Sequence, residues 1–233
     1  MELHFPDGST GKAGYVYALC THPESRKQGF IRELLNYCDY HLNQRGADCI
    51  SLVPAEASLH RFFGLLGYSE CFSHRKFEMA RNRLPAAGEG DTALRVEPEE
   101  YGRIREELLD GLFHVSYGAE LLAFQQDFSH MLGGGGLYRI QAGDLLGCAV
   151  VESLREGSLL VKELLLSRPE VGKAMAALAK AMPAAYYNLR APSFYKGLTC
   201  SYIQAFGMVK WYNTELERRW GRDRQGYMGL GFD

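Results

Sequence analysis

The chain has 233 residues, 46% of them hydrophobic and 23% charged, an ordinary globular composition that excludes a disordered or collagen-like chain. Its 26 basic and 28 acidic residues leave a net charge of -2; a cut after Arg83 puts 10 basic and 9 acidic residues before it and 16 and 19 after it. Neither part carries the basic field that nucleic-acid binding uses.

No apolar run reaches the ~18 residues of a membrane span, and no secretory leader pattern opens the chain. The six cysteines lie apart, with no Cys-x-x-Cys pair. They read as buried free thiols in a reducing compartment, the cytoplasm, with no membrane partner.

Met1 to Lys12 is polar, with a turn at Pro6-Asp7-Gly8. Gly14 to Thr21 reads as a central strand because it is almost continuously apolar. Phe30, Ile31, Leu34, Leu35, Cys38 and Leu42 then predict one apolar helix face, closed by Gly46. Ala47 to Val53 is a second strand, Leu59 to Leu66 a short helix ending at Gly67, and Glu70 to Met79 holds a third strand. This alternation is α/β architecture.

Asn82 to Ala93 reads as a linker, with Pro85, Gly88 and Gly90. Beyond it the pattern predicts a strand over Leu94 to Glu97 and helices over Glu99 to Leu112 and Glu120 to Met131. Strands follow over Leu137 to Gln141 and Leu145 to Glu152, around a hairpin turn at Ala142-Gly143-Asp144. Leu159 to Leu166, Val171 to Met182 and Tyr186 to Leu189 repeat the strand, helix, strand order of the first part. Ile203 to Met208 and Tyr227 to Leu230 are weaker strand candidates.

The stretch Arg26-Lys27-Gln28-Gly29-Phe30-Ile31 follows a strand and opens a helix. Main-chain N–H groups at a helix start lack internal partners and favour an anion, above all a phosphate. Gly29 lets a ligand approach the backbone, and Arg26 and Lys27 add charge. An ordinary surface loop with basic residues is the alternative. The spacing is neither a Walker loop nor a dinucleotide fingerprint.

The run Cys20-Thr21-His22-Pro23-Glu24-Ser25-Arg26-Lys27-Gln28-Gly29-Phe30-Ile31, followed by Leu34-Leu35, resembles the acetyl-CoA motif of the GNAT-type N-acetyltransferases. Phe62-Phe63-Gly64-Leu65-Leu66-Gly67-Tyr68 is similar to that family's segment after the next strand. Together they cover Gly14 to Met79, about a third of the chain. The resemblance implies a GNAT-like mixed sheet flanked by helices, with acetyl-CoA as cosubstrate and no metal. It implies that Leu19, Cys20 and Thr21 offer strand groups to the pantetheine arm. Arg26, Lys27, Gln28, Gly29, Phe30 and Ile31 would wrap the pyrophosphate, and Phe62 and Phe63 would lie near the thioester, where the strands part around Thr21 and Val53.

Three positions depart from the family pattern. Ile31 stands where Gly or Ala is preferred, Glu56 where Asn is common, and Phe63 where many members have the tyrosine that protonates the departing thiolate. The family's first strand, two helices and next strand precede the region matching Gly14, and only thirteen residues do so here. Either the chain is N-terminally short, or Leu94 to Glu152, which has that order of elements, supplies them.

The reading is therefore a tandem α/β protein: an incomplete GNAT-like domain over 1–83, a linker over 84–93, and a degenerate second GNAT-like domain over 94–233. Ser167 to Lys173 shows no good pyrophosphate loop, and Gly226 to Asp233 resembles the closing strand of two-domain bacterial members.

The implied reaction moves an acetyl group onto a primary amine of a small molecule or peptide. Glu56, Tyr17 and Glu70 are the candidate bases; sheet packing for Tyr17, a helix-start charge for Glu56 and a solvated strand end for Glu70 are the structural alternatives. The rival function is a CoA-binding or protein-interaction module without turnover, and a homo-oligomer or a partner chain completing the domain stays open. The seven histidines show no metal spacing, Cys20 reads as an inert buried thiol in a strand, and Trp211, Tyr212 and Trp220 read equally as an interface or as packing of a short helix.

Overall fold

The computed structural model describes residues 1–221 and 226–232. In chain order the elements are β1 (Glu2–His4), β2 (Thr10–Val16), α1 (Phe30–Gln44), β3 (Cys49–Leu52), α2 (Ala57–Gly64), β4 (Ser69–Glu70) and β5 (Ser73–Ala80). There follow β6 (Thr92–Arg95), α3 (Pro98–Leu109), β7 (His114–Ser116), α4 (Ala119–Met131), β8 (Gly136–Ala142), β9 (Leu145–Arg155) and β10 (Ser158–Leu166). The last are α5 (Val171–Ala181), β11 (Tyr186–Pro192), β12 (Tyr202–Ala205), β13 (Met208–Trp211) and α6 (Thr214–Trp220). They form two compact units. The first takes Met1–Ser73, Gly111–Ser116 and the described residues from Ala205 on, and the second His74–Asp110 and Tyr117–Gln204.

The first unit holds a six-stranded mixed sheet in the order β4-β13-β3-β2-β1-β7. The opening segment, expected as a polar lead-in, is a β-hairpin. Its turn is set by Gly8 at φ +80° and by the Asp7 carboxylate, which accepts from the Ser9 N–H at 3.0 Å. Residues from β2 through α1 to β3 make a parallel crossover, pairing Ala13 with Cys49 through Val16 with Leu52. The helix packs close, since a Cβ on Gly14 would stand 2.4 Å from Leu42 Cδ1.

Ile31, Leu35, Cys38 and Leu42 turn toward a core of Ile50, Leu52, Phe63, Tyr68 and Met208. Phe30 and Leu34, expected on that inward face, are exposed instead. Trp211 and Trp220 stack at 6.1 Å, with Trp220 buried, so α6 packs on the sheet as the structural alternative had it. His4 and His114, far apart in sequence, are opposite one another on β1 and β7, with ring centroids 5.1 Å apart.

The second unit holds a seven-stranded sheet in the order β12-β5-β11-β10-β9-β8-β6. A second parallel crossover, β10-α5-β11, pairs Ser158 with Tyr186 through Val161 with Leu189. Its α5 is buried through Ala174, Met175, Ala177 and Leu178. Several buried polar groups are paired: the Tyr101 hydroxyl donates to Glu163 at 2.6 Å, and Arg105 Nε to the same carboxylate at 3.1 Å. The Arg105 guanidinium lies 4.8 Å over the Tyr117 ring. Glu152 accepts from Gln125 at 2.7 Å and from Lys162 at 3.2 Å. Buried charges of this kind persist only with such partners.

Several expected elements moved. The strand expected over Gly14 to Thr21 runs Thr10–Val16, because Ala18 turns into the left-handed region at φ +56°. The single strand expected within Glu70 to Met79 is two, β4 in the first sheet and β5 in the second. Leu94 to Glu152 supplies the first sheet with β7 alone; its other strands belong to the second. The segment expected as a linker is tied down, since Lys180 Nζ donates to the carbonyls of Gly88 at 3.3 Å and Asp91 at 2.9 Å. No helix among the described residues is long and apolar enough to cross a membrane.

Candidate active site

The parallel ladder of β2 and β3 ends at Val16 and Leu52, and the main chain of residues 17–20 has no ladder partner beyond it among the described residues. A cleft of about 550 Å³ opens there, lined by Leu19, Cys20, Thr21, Ser25, Arg26, Lys27, Gly29, Phe30, Ile31, Arg32 and Phe62. Nine of the eleven residues expected at the cofactor thus share one cleft. Gln28 is outside it, its amide donating to the Glu24 carbonyl at 3.4 Å. Phe63 is buried and lines a second, smaller cavity beside it.

Local backbone makes the cleft polar. Lys27 at φ +64° and Gly29 at φ +89° alternate the chain direction before α1, a pattern that turns successive N–H groups to one side. Among the described residues, no main-chain or side-chain acceptor meets the N–H groups of 27–31; the Gly29 carbonyl already accepts from Arg32 at 2.9 Å. A Cβ on Gly29 would meet nothing within 4 Å, so glycine serves the backbone conformation there rather than close packing. Arg26 Nε reaches the Thr21 carbonyl at 3.4 Å, leaving the rest of its guanidinium beside the cleft. Ile31, where the family prefers a smaller residue, packs its side chain against the core. An anionic diphosphate fits this set of N–H donors beside the Arg26 and Lys27 cations.

Cys20 corrects an expectation: it is exposed and outside the strand. Cys200 is also exposed, while Cys49, Cys71 and Cys148 are buried, and all six thiols are free. Burial pushes the Cys49 thiol up to about 12.

The second cavity, about 290 Å³, is lined by residues 15–19, Leu52, Val53, Ala55, Leu59, Phe63, Gly231 and Phe232. The carboxyl-terminal segment reaches it after main-chain bonds from Gly226 N–H to Cys71 at 2.8 Å and from Tyr227 N–H to Phe113 at 2.9 Å. Instead of the closing strand expected there, residues 226 and 227 make isolated bridges. The Tyr15 hydroxyl donates to the Gly231 carbonyl, and its ring meets Phe232 at 6.0 Å. Sequence distance hid this segment: its glycines and aromatics carry no signal for where they dock.

Of the three candidate bases, Tyr17 alone lines that cavity. Glu70 is bound to His60 Nδ1 at 2.9 Å, and Glu56 accepts from Ser58 Oγ at 2.7 Å at the start of α2. Tyr68, the phenol next to Phe63, is buried, its hydroxyl without a hydrogen-bond partner among the described residues, and burial holds it protonated.

Comparison with known proteins bears on this geometry. Residues 1–69 match the family described as an acetyltransferase (GNAT) domain. The chain has the GNAT fold. A GCN5-related N-acetyltransferase from Kribbella flavida superposes with a TM-score of 0.63 at 16% identity, over 91% of this chain and 56% of that one. A conserved protein of unknown function from Enterococcus faecalis gives 0.69 at 13%, over 91% and 57%. Eis1 from Mycobacterium abscessus gives 0.62 at 16%, over 92% and 60%. The chain therefore spans between half and two thirds of the length of these structures, and its match to them runs through both sheets. No curated protein matches it in sequence.

Proposed function

We propose that the first unit binds a CoA thioester and transfers its acyl group to a primary amine of a small molecule or peptide. The observation that carries the reading is the set of N–H groups over 27–31, without acceptors among the described residues, beside a cleft that Lys27, Gly29, Phe30 and Ile31 line and that ends at a parting strand pair. The pyrophosphate would accept from those N–H groups and from Arg26 and Lys27. The pantetheine arm would run along the unpaired main chain of 17–20 in place of a neighbouring strand. Acetyl-CoA is the simplest such cosubstrate, and six free thiols suit a reducing cytoplasm.

In the transfer, the amine nitrogen forms a bond to the thioester carbonyl carbon and the C–S bond breaks. The thiolate takes up a proton, and the amine gives one up. Main-chain N–H groups at the strand break would stabilise the carbonyl oxygen. Tyr17 is the one candidate base beside the cavity, acting directly or through water. Phe63 offers no proton to the thiolate, so the proton returns from water or from the substrate. That same residue supports a second reading, CoA binding without turnover.

Calorimetric titration with acetyl-CoA tests both. Stoichiometric binding lost in Arg26→Ala and Gly29→Glu, with turnover on an amine panel that saturates in acetyl-CoA, is the expected result. Binding without turnover supports the second reading. No binding by the folded chain at millimolar acetyl-CoA overturns both.

A further inference from the structure

We propose that the preferred donor carries a straight apolar acyl chain of about four to six carbons rather than an acetyl group. This rests on the acyl-transfer reading above. The cavity of about 290 Å³ beyond the strand break is several times larger than a methyl group needs; an apolar cavity of roughly 150 Å³ already holds a benzene ring. Its walls are mostly apolar, with Leu52 and Val53 at the end of β3, Leu59 and Phe63 on α2, and Phe232; Tyr15 and Tyr17 line it too.

The cavity continues the CoA cleft. Leu19 lines both, and Phe62 on the cleft meets Phe63 on the cavity at 5.2 Å, edge to face. A thioester at the strand break therefore has its acyl tail directed toward these walls.

One wall is built in. Gly231 is held through its carbonyl by the Tyr15 hydroxyl, and a Cβ on it would stand 2.4 Å from the Phe206 ring. The backbone fits there only because that residue is glycine, and it sets Phe232 edge-on to Tyr15. An apolar space of limited volume beside the thioester selects by chain length, as each buried methylene strengthens binding until the space is full.

The test is a calorimetric series of CoA, acetyl-CoA, butyryl-CoA, hexanoyl-CoA and decanoyl-CoA on the whole chain. Butyryl-CoA should bind about fifteenfold tighter than acetyl-CoA, since each of its two extra methylenes contributes about fourfold when buried. Affinity should level off before decanoyl-CoA. Leu59→Trp fills the space and should bring the butyryl-to-acetyl ratio near one. Leu59→Ala enlarges it and should move the optimum to a longer chain. The ratios within each variant are independent of how much of it folds. CoA binding with a flat series from acetyl to decanoyl overturns this inference and leaves the transfer reading standing. No binding of CoA or any thioester overturns both.

Discussion

The two parallel crossovers, β2-α1-β3 and β10-α5-β11, share an order of elements and differ in what they leave unpaired. In the first, the ladder stops at Val16 and Leu52 and a cleft follows. In the second it stops at Val161 and Leu189, and the hydroxyl of Tyr195 binds both main-chain groups of Leu166, at 2.7 and 3.0 Å. The helix starts differ in the same way. Arg26 and Lys27 flank N–H groups without acceptors among the described residues, whereas Arg168 is paired with Asp144 at 2.6 Å and Glu170 at 3.1 Å. Glu170 also places a carboxylate just before α5, where a phosphate would have to sit. Topology alone does not make a cofactor site; the unsatisfied groups at the parting strands do.

The largest expected effect sharpens the second half of this comparison. Arg105→Ala strands the Glu163 carboxylate in the core and should lower stability by about 3–5 kcal/mol, read as a shift in urea midpoint. Cofactor binding should follow the first helix start alone. Gly29→Glu should weaken acetyl-CoA at least a hundredfold, about 2.7 kcal/mol, through backbone strain and a misplaced charge. Arg26→Ala should cost about tenfold, and Arg168→Ala less than twofold. An equal loss in both arginine variants would break the comparison.

Tyr195→Phe should cost about 1–2 kcal/mol, because the Leu166 N–H and carbonyl lose their shared partner. It should leave the stoichiometry of acetyl-CoA at one; a second equivalent would mean that the second gap is held shut by that hydroxyl alone. The smallest effect is in thiol chemistry. Cys20 and Cys200 should react first with a thiol reagent, and acetyl-CoA should slow Cys20 a few-fold without touching Cys200. Cys49, with its thiol pushed up to about 12 by burial, should react only on unfolding at any pH below that. Mass spectrometry of the labelled chain separates these sites.

The sequence pattern was most informative where structure is local. The apolar period and Gly46 mark α1 at the bounds the structure shows, Phe30–Gln44, and Gly143 marks the β8-β9 turn. Eight of the nine cleft residues were legible because one stretch, from beyond the end of β2 to the start of α1, carries them; the ninth, Phe62, lies on α2. Tyr17 leaves the ladder for a reason periodicity misses: a left-handed Ala18 interrupts an apolar run that otherwise reads as strand. The three-residue β7 and the docking of residues 226–232 were hidden because their partners are more than a hundred residues away, and short segments carry no period of their own. The paired buried charges of Lys162 and Glu163, in a strand of leucines, were equally silent, since pairing is a property of the packed unit.

Strand β13 has a consequence for how the chain is made. It lies between β3 and β4 in the first sheet, with Met208 opposite Leu52. At about 5–20 residues per second, a ribosome needs roughly 8–30 s to add the ~150 residues between them. Through that time the newborn β3 edge, beside the strand that frames the cleft, has no neighbour on that side and is a template for wrong pairing. The second sheet can meanwhile gather most of its strands, so the unit that comes first in sequence is the last to be completed.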